Sequence, residues 1–321
     1  MIYTILKNIV RLSLKIFCRT IIINKPAFLK MKGPLLIASN HSNSFLDAII
    51  LDILFDQPIW SLARGDAFKG KMISRFLTAV KIMPVYRTSE GVENLSENYK
   101  TFDACMQIFK QGGLVQIFSE GKCVNEWHLR PLKKGTARLA IKSWEEQIPL
   151  KILPVGTNYS SFFCFGKNIF LNFGEPFDVS SVDMNGSDGL RNQSFNAILQ
   201  RQLTNLVYEI GAGDQQMQQE ILERKASLLK KIILSIPAAI GFIIHAPLYL
   251  PIKNFLQKKA GGTGHYDSIM LGILLLSYPF YLLLITLCVF FITGKSFSFL
   301  LLLIIPFTAW SYVQLKKQLD S

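Results

Sequence analysis

Two stretches near the C-terminus limit the fold more than anything else in the chain. Residues 268–293 run for 26 positions without a charged side chain, and residues 296–315 run for 20. As helices, both are long enough to cross a hydrocarbon layer of roughly 30 Å. Only Gly294 and Lys295 separate them, so the sequence predicts a tight transmembrane hairpin. Residues 232–252 also lack Asp, Glu, Lys and Arg, but Pro237, Pro247 and Pro251 interrupt them. A full span and a re-entrant segment are both open there. Lys225, Lys230 and Lys231 precede that stretch, Lys253, Lys258 and Lys259 follow it, and Lys316 and Lys317 close the hairpin. Two spans leave all these cations on the cytoplasmic side, as the positive-inside bias prefers, and three do not. Two are therefore expected.

The opposite end is basic. Residues 1–32 contain no acidic side chain, and the first in the chain is Asp47. Lys7, Arg11, Lys15 and Arg19 recur every four positions, one slowly rotating stripe on a helix. Ile2, Ile5, Leu6, Ile9, Val10, Leu14, Phe17 and Ile21 fill the other sides. A secretory signal places its charges before an uninterrupted apolar core, which this segment lacks. The pattern predicts a basic amphipathic helix over 1–32 lying in the membrane interface, with a surface helix packed on its own domain as the alternative. Lys+Arg number 35 against 22 Asp+Glu, a formal charge of +13, and half the residues are hydrophobic. Such a balance excludes a disordered chain and points to membrane surfaces, anionic lipids or phosphorylated substrates. Cys18, Cys105, Cys123, Cys164 and Cys288 are scattered without a CxxC pair, so neither a disulfide framework nor a metal site is expected.

Between these ends, residues 33–185 read as an α/β domain. Strands are expected at 34–39, 59–63, 82–85, 114–118, 152–155 and 169–173, and helices at 44–54, 95–109 and 134–144. Strands alternating with helices imply a largely parallel sheet flanked by helices. Residues 186–230 are polar and Gln-rich, a helical connector, and 231–321 form the membrane region.

His41 occupies a distinctive place, in Ser39-Asn40-His41-Ser42-Asn43-Ser44-Phe45-Leu46-Asp47, where a buried strand ends and a helix begins. In an open α/β sheet, ligands bind at that edge. Neutral imidazole takes a proton from a hydroxyl near pH 7, and a carboxylate fixes its tautomer. Six positions on one helix would set His41 and Asp47 about 240° apart. They meet only if His41 lies in the loop and Asp47 in the first helical turn. Ser44-x-x-Asp47 also reads as a capping box, which needs no catalysis. Arg87 ends the strand after Lys81, and Phe118-Ser119-Glu120-Gly121-Lys122 ends the next. Lys133 and Lys134 stand just before a helix, and Leu153-Pro154-Val155-Gly156 closes a further strand. Cations and helix N-termini converging on one edge suit an anionic substrate.

In this order and spacing the pieces resemble the glycerolipid (phospholipid/glycerol) acyltransferase superfamily. Its four blocks are NHxxxxD, a strand ending in Arg, FPEGTRS and a V-P-[VI]-G strand. They correspond to Asn40-His41 with Asp47, Met83-Pro84-Val85-Tyr86-Arg87, Phe118-Ser119-Glu120-Gly121 and Leu153-Pro154-Val155-Gly156. The likeness covers residues 30–180. Five residues, not four, separate His41 from Asp47, which resembles a branch of glycerol-3-phosphate and dihydroxyacetone-phosphate acyltransferase relatives. Ser119 stands where the family has Pro, and Lys122-Cys123 where it has Thr-Arg.

The resemblance implies a membrane-bound O-acyltransferase of phospholipid biosynthesis. His41 would be the general base and Asp47 its orienting partner. Arg87 would bind the acceptor's phosphate, helped by Lys133 or Lys134. Asn40, Glu120 and Gly121 would shape the acceptor site. The acceptor would be glycerol-3-phosphate or 1-acylglycerol-3-phosphate, and the donor acyl-CoA or acyl-carrier protein. No bound cofactor or metal is implied; the partners are membrane lipids and the two substrates, and no nucleic acid. The setting implied is a bacterial inner membrane with the α/β domain on its cytoplasmic face. Acylation of an amino-acid-linked lipid and a non-catalytic lipid-binding role on the same fold are the alternatives.

Overall fold

The central apolar run read as a strand is buried on both faces, as a helix-covered parallel sheet requires: all five residues of Leu35–Ser39 are shielded from solvent, whereas at the sheet edge only Met83 of Ile82–Val85 is buried. The computed structural model describes residues 2–86, 97–211 and 213–319. Its elements are α1 (Ile2–Phe17), β1 (Cys18–Ile23), β2 (Leu35–Ser39), α2 (Ser44–Leu54), β3 (Ile59–Arg64), α3 (Lys71–Ala79), β4 (Ile82–Val85), α4 (Glu97–Lys110), β5 (Leu114–Phe118) and α5 (Lys134–Glu145). They continue with β6 (Lys151–Tyr159), β7 (Lys167–Phe173), α6 (Asp188–Leu206), α7 (Gln215–Leu222), α8 (Leu228–Ala260), α9 (Tyr266–Thr293) and α10 (Leu301–Leu315).

The seven strands form one sheet in the order β1-β7-β6-β2-β5-β3-β4. Strands β2 to β6 are mutually parallel, β7 returns antiparallel to β6, and β1 lies parallel to β7. In the middle, β2 sits between β5 and β6, with Ser39 level with Phe118 on one side and Val155 on the other. The loops after these three strands therefore open side by side at one edge, where open α/β sheets bind ligands. Alternate residues feed two cores. Leu36 and Ala38 face the side covered by α4, α5 and α6, while Leu35 and Ile37 face the side covered by α1, α2 and the start of α9.

Gly156, in the fourth sequence block, shows why that position takes no side chain. A Cβ there would lie 2.3 Å from the carbonyl oxygen of Leu206 at the end of α6. Gly156→Ala should destabilise the domain by about 1–3 kcal/mol by forcing β6 and α6 apart, seen as a lowered unfolding midpoint.

The N-terminal expectation needs correction. The helix stops at Phe17, and Cys18–Ile23 is an edge strand. Thr20 and Ile21–Ile23 are β-branched and fit a pleated edge, whereas four-residue cation spacing had extended the helix to 32. The basic stripe is also partly engaged within the fold. Lys7 donates to Phe55 O at 3.0 Å, and the Arg11 guanidinium donates to Ile53 O, so both cap the carboxyl end of α2. Ile2, Ile5, Ile9 and Leu12 remain on an exposed apolar face.

At the C-terminus, α8, α9 and residues Ser296–Leu315 are long and apolar enough to cross a membrane. Residues 232–252 form part of one continuous helix, α8, despite its three prolines. Gly294 adopts φ 66 and ends α9, turning the chain into the second arm of the hairpin. Helix α8 is placed differently. Lys230 near its start bonds Gln314, whose amide holds Arg19 O; Tyr249 meets the Phe165 ring at 5.6 Å; Leu256 joins the core beneath α2. Helix α8 also packs along α10, where a Cβ on Gly241 would lie 2.1 Å from Thr308 O and the Phe242 ring meets Tyr312 at 5.4 Å, so it rests on both the hairpin and the sheet domain.

Candidate active site

His41 lies in the loop between β2 and α2, and Asp47 in the first turn of α2, the arrangement their spacing demanded. Nδ1 of His41 is 2.9 Å from Asp47 Oδ2. The same carboxylate oxygen accepts the Asn43 N–H at 2.8 Å, so Asp47 also caps the helix that carries it. Its other oxygen accepts the Tyr159 hydroxyl at 2.6 Å. His41 keeps 15% of its side chain exposed and Asp47 none. The imidazole is therefore reachable from outside while its partner is sealed. The Phe118 ring stacks on the imidazole at 3.9 Å and 11°, fixing the ring plane. Among the described residues, Nε2 of His41 has no hydrogen-bond partner.

With Nδ1 opposite a carboxylate oxygen, the proton resides on Nδ1 and Nε2 keeps its lone pair. Burial, and then the neighbouring Asp47, hold the Tyr159 phenol well above its ordinary range, so it stays protonated and donates to Asp47.

Asn40 is buried, and its amide is engaged with β6. Its Oδ1 accepts the Thr157 N–H at 2.8 Å, and its Nδ2 donates to Thr157 O at 3.0 Å. It joins the His41 loop to the neighbouring strand end. Glu120 is buried too. One oxygen accepts the His41 N–H at 2.8 Å and the other the Arg130 N–H at 2.9 Å, bracing both loops against each other. Gly121 takes φ +68, a left-handed turn that L side chains rarely adopt, with Lys133 beside it. Lys133 and Lys134 are exposed at the start of α5 on this same edge. Arg87 lies outside the described residues.

Burial pushes the Glu120 carboxyl up, outweighing the two N–H groups that favour its charge. The folded state then holds more protons on Glu120 than the unfolded chain between the ordinary glutamate range and the raised value. Stability should fall as pH rises through that window. Glu120→Gln should flatten this slope and lower kcat about tenfold, because one backbone N–H then faces an amide NH₂ instead of an acceptor. Unfolding curves across pH, with initial rates, check both.

Sequence reasoning missed several residues at this edge. Thr157 and Tyr159 continue the alternation from Val155 along β6, and period-2 counting past Gly156 would have brought them to Asp47. His265 lies near enough for burial, Arg64 and His41 to hold its imidazole below the usual range. Arg64, at the carboxyl end of β3, adds a cation to this edge, paired with Asp66 at 2.5 Å.

Residues 20–158 match the Acyltransferase family model. A solved structure of the 1-acyl-sn-glycerophosphate (LPA) acyltransferase PlsC from Thermotoga maritima is similar at 13% identity and a TM-score of 0.42, covering 64% of this chain and 79% of that one. No curated protein sequence matches the chain. The family match begins in β1 and runs to Asn158 in β6, and so takes in His41, Asp47, Glu120 and most of the β6 residues around them. Residues 20–158, less than half of the chain, are thus similar to an acyltransferase domain, which supports an enzyme that transfers acyl groups.

Proposed function

We propose that this enzyme moves a fatty acyl group from the thioester of acyl-CoA or acyl-carrier protein to a hydroxyl of glycerol-3-phosphate or 1-acylglycerol-3-phosphate. The observation that carries the reading is the 2.9 Å contact between His41 Nδ1 and Asp47 on a ring whose Nε2 faces no protein partner among the described residues. Nε2 accepts the acceptor's hydroxyl proton as the oxygen attacks the thioester carbonyl. Asp47 stabilises the imidazolium that forms. The new C–O bond closes, the C–S bond breaks, and the imidazolium returns its proton to the leaving thiolate. No acyl-enzyme is needed, so no nucleophilic Ser or Cys enters the path. Holding hydroxyl, base and thioester in line supplies much of the rate.

Arg87, Lys133 and Lys134 are the cations assigned to the acceptor phosphate, and this also favours a phosphorylated acceptor over an amino-acid-linked lipid. Asn40, Glu120 and Gly121 act by shaping the loops around it. The α9–α10 hairpin spans the membrane with α8 packed along α10, and the exposed face of α1 lies along the membrane surface. That arrangement keeps the cation clusters on one side, taken as the cytoplasmic face of a bacterial inner membrane.

The test is acyl transfer by membranes carrying the protein, offered both phosphorylated acceptors with each donor, beside a His41→Ala control. Transfer to one acceptor, lost in the control, supports the reading and names the step. No transfer to either acceptor, with folded protein and every donor, overturns the acceptor assignment.

A further inference from the structure

The first turn of α9 reaches the loop that carries His41. Asp267 is buried there and accepts the Asn43 amide, Nδ2 to Oδ2, at 2.7 Å. The Lys167 ammonium, fully buried at the start of β7, bonds the same carboxylate oxygen. The Asn43 backbone N–H in turn donates to Asp47 Oδ2, which meets His41 Nδ1. Three contacts therefore join a membrane helix to the imidazole. Beside them, Ser44 adopts φ 50, a left-handed conformation that serine holds only when its surroundings impose it. Its hydroxyl lies 2.6 Å from His265 Nδ1, and its N–H donates to Cys123 Sγ at 3.0 Å. His265, Asp267 and Lys167 all lie outside the residues that match the acyltransferase family.

A buried carboxylate and a buried ammonium are tolerable only together, so Lys167 accounts for the burial of Asp267 in this place. It does not explain the bond to Asn43. That bond grips the residue whose peptide N–H orients Asp47.

We propose that Asp267 is a positioning residue for acyl transfer: through Asn43 it holds Asp47 in the orientation that keeps the proton of His41 on Nδ1, so the pair is aligned only when α9 is seated on the sheet domain. The inference rests on His41 and Asp47 being the proton-transferring pair.

The test uses the full chain in membranes. Asp267 is removed together with its counter-charge, as Lys167→Met/Asp267→Leu, so that no lone buried charge remains. That variant should lose about 10- to 100-fold in kcat with little change in either KM, since substrate contacts are intact and alignment is not. Asn43→Ala should cut kcat by a similar factor in the wild-type background, and by less than about twofold in the Lys167→Met/Asp267→Leu background, where the link is already broken. Wild-type kcat in the ion-pair variant, or an equal effect of Asn43→Ala in both backgrounds, overturns the proposal. Asn43→Ala leaves the buried pair in place and is decisive by itself if the ion-pair variant does not fold; unchanged kcat there also overturns the proposal. The downfield Nδ1 proton resonance of His41 should move upfield in the same variants. That signal needs no acceptor. If the wild type acylates neither phosphorylated glycerol, the acceptor assignment falls, while the resonance still decides the role of Asp267: an unmoved signal overturns it.

Discussion

His41→Ala should lower kcat by about 10²–10⁴-fold, the range that a positioned general base contributes, while the protein folds and binds membranes as before. The side chain gives up its bond to Asp47 and its stack on Phe118. Asp47 keeps the Asn43 N–H and the Tyr159 hydroxyl, so its buried charge is not stranded. Initial rates beside an unfolding curve separate lost chemistry from lost fold. A variant that transfers acyl groups at the original rate would remove His41 from the mechanism.

Asp47→Asn should be nearly as severe, by a tautomer argument. With the amide oxygen toward Tyr159, the amide NH₂ faces His41 Nδ1, which must then become the acceptor. The ring proton moves to Nε2, and the nitrogen that should take the hydroxyl proton already holds one. The same exchange in a Ser-His-Asp triad lowers kcat about 10⁴-fold. The NH₂ also confronts the Asn43 N–H, which costs about 1–3 kcal/mol for a buried donor left without an acceptor. If Asp47 only capped α2, the variant would lose stability and keep its kcat per folded molecule. Measuring both quantities distinguishes the two roles, which this one carboxylate combines through Oδ2.

Much of the sheet was legible because its signals are local. The bounds of α2, β4 and β5 follow from apolar runs closed by Gly, Pro or polar residues, and the structure places them at Ser44–Leu54, Ile82–Val85 and Leu114–Phe118. His41 and Asp47 could be paired in advance because a loop and a first helical turn are the only places from which residues at that spacing meet. Legibility failed where partners are distant. Nothing within Cys18–Ile23 says that it will pair with β7, some 150 positions later, and the cation spacing argued for helix. Residues Thr157 and Tyr159 look like ordinary strand positions until β6 is laid beside β2 and their hydroxyls face Asp47.

By itself the sequence determined the class of the molecule. Uncharged runs of this length specify helices long and apolar enough to cross a membrane, because burying charge in hydrocarbon is so unfavourable. Period-2 and period-3.6 apolar patterns specify the α/β domain, and four spaced blocks carry its resemblance to acyltransferases. Tertiary structure alone decided what each polar side chain in that site bonds. It committed Asn40 to Thr157, Glu120 to two backbone N–H groups and Lys7 and Arg11 to the end of α2. It also brought Asp267, 220 positions beyond Asp47, to the same loop. The physical reason is that a buried polar group must find a partner wherever packing delivers one, and packing is a property of the whole chain.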